Sequence, residues 1–145
     1  MRVVPMAEGH IAPLAELERV CFAHPWSAQA LEEELENPLA LFQVAEDEDG
    51  RVLGYVGVHF VGDEGFITNV AVSPAARRRG VGRALLQALT DYGAAQGMYR
   101  ITLEVRVSNT PAIALYEGMG YTRDGVRPGF YRDPAEDAAI YSLYF

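Results

Sequence analysis

Residues 69–83 read Asn69-Val70-Ala71-Val72-Ser73-Pro74-Ala75-Ala76-Arg77-Arg78-Arg79-Gly80-Val81-Gly82-Arg83, and the fold turns on how this stretch is parsed. A β-rich run ends at Ser73-Pro74, and an amphipathic helix starts near Val81, marked by Val81, Ala84, Leu85, Ala88, Leu89 and Tyr92. Free backbone N–H groups and the positive helix end converge at that junction, and Gly80 and Gly82 let the main chain approach an anion closely. Arg77, Arg78, Arg79 and Arg83 raise the local potential, so a diphosphate is the natural ligand. A Walker loop is excluded because no Gly-Lys-Ser/Thr follows. A dinucleotide fingerprint requires a third Gly or Ala where Leu85 stands. A solvated charge run is the competing reading, although Arg residues at a helix start oppose the dipole.

Outward from this junction the hydrophobic period alternates between strand and helix values. Residues 40–46, 51–61 and 66–72 are rich in β-branched and aromatic side chains. The turns between them, 46–50 and 62–65, are short, which implies an antiparallel meander. Before them come a short strand at 2–6 and a helical stripe, Ile11, Leu14, Ala15, Leu17, Val20, Cys21 and Phe22. Ser27 caps a second helix running to about residue 36, and Asn37-Pro38 stops it. After the Val81 helix, Ile101, Leu103, Val105 and Val107 alternate with Thr102, Glu104 and Arg106. A short helix follows at 111–119, capped by Thr110 or Asn109 and ended by Gly120. Strands at 121–126 and 138–145 close the order β-α-α-β-β-β-α-β-α-β-β, an α/β (α+β) class with helices packed on a mixed sheet.

Neither repeat nor linker interrupts the 145 residues, so residues 1–145 are read as a single domain. No apolar run reaches bilayer or signal-peptide length, and the lone Cys21 has no internal disulfide partner, so the expected compartment is the cytoplasm, with no membrane partner. The net charge of -8 argues against a nucleic-acid partner. That charge is uneven, -10 over residues 1–64 and +2 over 65–145. The acidic runs Glu32-Glu33-Glu34-Glu36 and Glu46-Asp47-Glu48-Asp49 read as solubilising surface, with attraction of a basic tail as the alternative. His10, His24 and His59 lack ligand spacing, so no metal is expected.

Arg77-Arg78-Arg79-Gly80-Val81-Gly82 resembles the Gln/Arg-x-x-Gly-x-Gly/Ala loop of the GCN5-related N-acetyltransferase (GNAT) superfamily, which grips the pyrophosphate of acetyl-coenzyme A. Asn69 to Pro74 resembles that superfamily's central strand. Ser108-Asn109, Ala114-Leu115-Tyr116-Glu117 and Gly120-Tyr121 resemble its later strand-helix-strand signature. Within it, Phe22-Ala23-His24-Pro25-Trp26-Ser27, Leu103-Glu104-Val105-Arg106 and Glu136-Asp137-Ala138 are most similar to the RimI-type enzymes, which acetylate the N-terminal alanine of a small-subunit ribosomal protein. The resemblance implies a mixed, mostly antiparallel sheet splayed between the strands of Val72 and Glu104, with acetyl-CoA as acyl donor. It implies that the pantetheine arm pairs with Val70, Ala71 and Val72, that Arg77 to Arg83 hold the diphosphate, and that Asn109 contacts the cofactor.

Acetyl transfer to an amine needs a base for the ammonium and an acid for the departing thiolate. The resemblance puts Glu104 in the first role and Tyr116 in the second. From the residues alone, Glu104 reads first as a solvated strand carboxylate or a partner for Arg106, and Tyr116 as a buried core phenol. A free phenol lies about 1.5 pKa units above a thiol, so that transfer is modestly uphill. Trp26 and the pair Phe130-Tyr131 are candidate walls for the acceptor peptide, with core packing the alternative for Trp26. The expected acceptor is a protein α-amine, which is easier to deprotonate than lysine by about 3.5 kcal/mol at neutral pH. A small amine, a lysine side chain, or a coenzyme A sensor without turnover are the alternatives. Arg127-Pro128-Gly129-Phe130-Tyr131-Arg132 departs from the RimI pattern, which bears on acceptor choice.

Overall fold

The computed structural model describes residues 1–145. Alternating apolar side chains and short turns first produce a four-stranded meander: β1 (Arg2–Pro5), β2 (Ala40–Glu46), β3 (Val52–Val61) and β4 (Glu64–Val72), all antiparallel. Between β1 and β2 lie α1 (Ile11–Cys21) and α2 (Ala28–Leu35), the latter capped by Ser27, whose hydroxyl accepts the Ala30 N–H at 3.1 Å. After β4 comes α3 (Val81–Gln96), ended by Gly97 in the left-handed region at φ 68°. It returns the chain to β5 (Arg100–Arg106), parallel to β4. Then follow α4 (Thr110–Gly118), β6 (Thr122–Tyr131) and β7 (Glu136–Tyr144). The sheet order is β1-β2-β3-β4-β5-β7-β6, and only the β4–β5 pair is parallel.

Two cores flank this sheet. On one face Val81, Leu85, Leu86 and Leu89 of α3 pack on Val56, Val58, Ile101, Leu103 and Val105, with Tyr116 of α4 joining them. Each fully buried leucine there contributes about 1.5–3 kcal/mol. On the other face Leu14, Ala15 and Leu17 of α1 and Leu31 of α2 cover Phe42, Val44, Tyr55 and Ala71. This second core stops at β4, since none of its residues comes from β5, β6 or β7. Half of that face is therefore left without a helix over it, and β6 is exposed along nearly its whole length.

The element order matches the sequence expectation, while several boundaries move. The turn expected at 62–65 contracts to Gly62-Asp63, because Glu64 and Gly65 pair with Val61 and Phe60. Strand β6 runs on to Tyr131 rather than stopping at 126. Pro128 is accommodated because the register breaks between Arg127 and Tyr131 on an edge strand, where its missing N–H is not required. The Glu46–Asp49 run is only partly surface. Glu46 is buried and accepts from Arg2 at 3.1 Å, with His10 Nε2 at 2.7 Å, while Asp47 accepts the N–H groups of Asp49 and Arg51.

Candidate active site

Pairing between β4 and β5 lasts for only three residue pairs, from Glu64↔Arg100 to Phe66↔Thr102. Beyond Phe66 the two strands separate, so the β4 edge through Val72 has no strand partner on that side. A bulge accompanies the parting: Gly57 opposes Asn69 and Val58 opposes Ile67, which leaves Thr68 as the extra residue. An open strand edge inside a sheet is a ready partner for an extended chain added alongside it. Val70, Ala71 and Val72 lie on this edge, Val70 and Val72 facing the α3 core and Ala71 the α1–α2 core.

At the C-terminal end of β4 the chain passes through Arg77–Gly80 into α3. Arg78 has φ 64° and Gly80 φ 78°, two left-handed residues that turn successive amides towards one side. A non-glycine residue in that region carries strain of about 1–2 kcal/mol, and such strain concentrates where ligands bind. Gly80 provides no side-chain cap, so the first N–H groups of α3 at Val81, Gly82 and Arg83 have no intrahelical partner. Arg78, Arg79 and Arg83 are exposed around them. Arg77 is turned back instead: its Nε donates to the Val72 carbonyl at 3.3 Å and its Nη2 lies 3.8 Å from Cys21 Sγ. Cys21 is half-buried on the α1 stripe, and burial pushes its thiol up despite Arg77. Gly82 sits against α4, where an added Cβ would meet Leu115 at 3.0 Å.

Glu104 projects from β5 on the face opposite Leu103 and Val105, which puts it on the uncovered half-sheet beside the split. Its ion partner is Arg127 of β6 (Nη1–Oε1 3.5 Å), not Arg106. Arg106 is occupied elsewhere. Its guanidinium donates to the carbonyls of Arg132 and Pro134 and to Glu136, and lies 4.4 Å from the centre of the Tyr131 ring. Burial raises the Tyr131 phenol, and the Glu104 carboxylate raises it further. Tyr116 lies on α4 with only 7% exposure, its ring tilted against that of Tyr121 with centroids 5.8 Å apart. Burial, with a smaller contribution from Tyr131, pushes its phenol up to about 12. Tyr131 is thus the residue whose charge interactions reach both Glu104 and Tyr116, which lie on opposite faces of the sheet.

The remaining expected residues divide. Asn109 is the α4 cap, its Oδ1 accepting the Ala112 N–H at 3.3 Å. Trp26 is half-buried at the rim of the α1–α2 core, its ring centre 6.1 Å from that of Phe42. What the sequence reading missed is a buried polar chain below it. Glu18, 2% exposed, accepts the Trp26 N–H at 2.8 Å and the Tyr55 hydroxyl at 2.9 Å, and Tyr55 in turn accepts from Asn69 at 2.9 Å. Burial and Glu18 together push the Tyr55 phenol strongly up. The one available signal was a glutamate on the apolar stripe of α1. Arg127 was also missed as a partner of Glu104, because cross-strand neighbours depend on a register that no local pattern reveals. No group of three or more His, Cys, Asp or Glu residues comes together to hold a metal ion. A surface concavity beside Leu17, Val20, Arg51 and Pro74 contains neither Glu104 nor Tyr116.

The model of the acetyltransferase (GNAT) family matches residues 11–121. The [ribosomal protein bS18]-alanine N-acetyltransferase of Escherichia coli (strain K12) is 36% identical over 129 residues, which make up 88% of this chain and 86% of that one. The crystal structure of the ribosomal-protein-S18-alanine N-acetyltransferase from Escherichia coli superposes with a TM-score of 0.90 at 31% identity, covering 99% of this chain and 92% of the other. Naa20 of Chaetomium thermophilum, solved in complex with a bisubstrate analogue, gives a TM-score of 0.84 at 28% identity, with 100% and 87% covered.

Proposed function

The chain belongs to the acetyltransferase (GNAT) family, and on that premise we propose that it transfers the acetyl group of acetyl-CoA to the α-amine of an N-terminal alanine, that of ribosomal protein bS18. The observation that carries this reading is the position of Glu104: a carboxylate on an uncovered half-sheet, beside a split whose other edge is open for the donor. An acceptor of this kind is met where ribosomes are assembled, in the cytoplasm.

The residues divide the work as follows. The diphosphate of the donor rests on the free amides at the start of α3, with Arg78, Arg79 and Arg83 around it, while Arg77 fixes the end of β4. The pantetheine arm lies along the β4 edge at Val70, Ala71 and Val72, where a main-chain N–H faces the thioester oxygen and stabilises the charge that develops there. Asn109 holds the start of α4 and leaves its carboxamide N–H₂ for the donor. The acceptor enters over the uncovered half-sheet, with Tyr131 as a wall. Glu104 collects the proton of its ammonium, directly or through a water. Because no activated nucleophile is present to carry the acyl group, the neutral amine attacks the thioester carbon directly and the C–S bond breaks in the same complex, the surplus proton of the nitrogen leaving to water.

Tyr116 supplies the proton that the sulfur takes. With its phenol near 12 and a free thiol near 8.5, transfer is uphill by about 3.5 units, roughly 5 kcal/mol and more than the sequence suggests. The same burial acts on the departing thiolate and raises the thiol as well, which narrows that gap.

The experiment compares an alanine-headed peptide of the bS18 N-terminus with its N-blocked copy, an internal-lysine peptide and a polyamine. Thiol release and a 42 Da mass gain (the mass of an added acetyl, roughly) are followed for each. Activity on the alanine-headed peptide alone is expected. Activity that survives the N-terminal block rejects the acceptor, and tight donor binding without turnover on any amine rejects catalysis.

A further inference from the structure

From the Glu104–Arg127 pair, and resting on the reading above, we infer that Arg127 is a specificity residue: it receives the carbonyl oxygen of the acceptor's first residue while Glu104 receives its amine. The two side chains come from different strands, β5 and β6, with Arg127 registered against Ala138 of β7 and Glu104 against Ile140. Their charged ends are 3.5 Å apart. In an amino-acid residue the nitrogen and the carbonyl oxygen of the same unit are about 2.7–3.6 Å apart, as backbone bond lengths dictate. An anion and a cation at this spacing therefore match, in polarity and in distance, the N–Cα–C=O unit that begins every polypeptide.

Three further features support this assignment. Arg127 is available, since its side chain is 55% exposed and no second carboxylate is paired with it, whereas Arg106 is consumed by two carbonyls and Glu136. It is held in place, with its guanidinium 5.3 Å from the centre of the Phe130 ring. The irregular stretch of β6 that follows is also fixed, because Gly129 donates its N–H to Asp137 at 2.9 Å. The chemistry discriminates as well. A lysine ε-amine carries four methylenes and no carbonyl within this reach, so it satisfies Glu104 and leaves Arg127 unanswered. An unmet guanidinium beside the acceptor also disfavours a second cation there. Selection of an α-amine then arises from one ion pair and not from the shape of a pocket.

The test is a cycle of two enzymes and two acceptors, wild type and Arg127→Gln against an alanine-headed peptide and its analogue with an (E)-alkene in place of the first peptide bond. Circular dichroism confirms that the variant is folded. Loss of a charge-assisted hydrogen bond lowers kcat/KM by about tenfold to a hundredfold. The expected result is that removing the carbonyl or the guanidinium each causes such a loss, and that removing both causes little more than either alone. Arg127→Lys, which keeps the charge without the fork, recovers part of the loss. Losses that multiply, or an Arg127→Gln enzyme equal to wild type, overturn the assignment while leaving the acceptor reading intact. A wild type inactive on the alanine peptide overturns both.

Discussion

Gly54→Ala perturbs the donor strand from behind, pressing on the main chain of Ala71 and Val72 while leaving Glu104 and Tyr116 untouched. Gly54 lies on β3 opposite Val72. A Cβ built there falls 2.6 Å from the Ala71 carbonyl oxygen, 3.2 Å from Val72 Cα and 3.2 Å from Val81 Cγ1. The valine methyl can rotate, but the Ala71 oxygen is main chain. It must retreat by some 0.4 Å merely to reach 3.0 Å, below which such contacts are essentially unknown. Overpacking of this kind destabilises by about 1–3 kcal/mol. For a chain of this size each kcal/mol shifts Tm by about 2–4 °C, so a loss of roughly 2–12 °C is expected. The displaced segment is the one proposed to line the thioester. Since a misplacement of about 1 Å can slow a reaction a hundredfold, a shift of this size should lower kcat/KM for acetyl-CoA by about tenfold. The assay is thiol release with the donor varied at saturating acceptor, beside thermal melting. Gly9→Ala is the control, because nothing lies within 4 Å of its Cβ position. A Gly54→Ala enzyme with wild-type kcat/KM for acetyl-CoA would refute the assignment of the β4 edge, whatever its Tm.

Tyr116→Phe should lower kcat by about a hundredfold to ten-thousandfold in single-turnover assays, the usual weight of a general acid. Because its phenol is pushed up to about 12, wild-type kcat should show no alkaline fall assignable to Tyr116 below pH 10; a decline centred near 9 that vanishes in the variant would contradict this. Arg78→Gly relieves a residue held at φ 64° and should stabilise the fold by about 1 kcal/mol while weakening acetyl-CoA binding; calorimetry beside melting curves checks both signs. The His10 hydrogen bond, then that of Arg2, holds the Glu46 carboxyl below its ordinary 4.5. The stabilisation it supplies is present above pH 4.5 and is lost as pH falls through the lowered value, so Tm should drop less steeply with acid in Glu46→Gln than in wild type.

The sequence disclosed most of the frame because its signals are local. The two-residue alternation from Ile101 to Arg106 and the helical stripes of α1 and α3 each follow from which side chains must be buried, and Ser27 and Asn109 cap the helices where their side-chain oxygens can accept an N–H. What it did not disclose depends on contacts between distant segments. Whether β4 and β5 stay paired or part after Phe66 is not written in either strand. The choice of Arg127 over Arg106 as partner of Glu104 follows from the position of β6, beyond β7, and from the carbonyls of the β6–β7 turn that capture Arg106. How Trp26 is seated is non-local too: its N–H goes to Glu18 and its ring packs on Phe42 at the rim of the second core.

Glu104→Gln tests the central claim most directly. Wild type and variant are compared for thiol release on the alanine-headed peptide and for acetyl-CoA affinity by calorimetry. A carboxylate that accepts the ammonium's proton predicts a fall in kcat of about a hundredfold or more, with donor affinity within threefold. Full turnover in the variant, or equal loss of turnover and donor affinity, would contradict it.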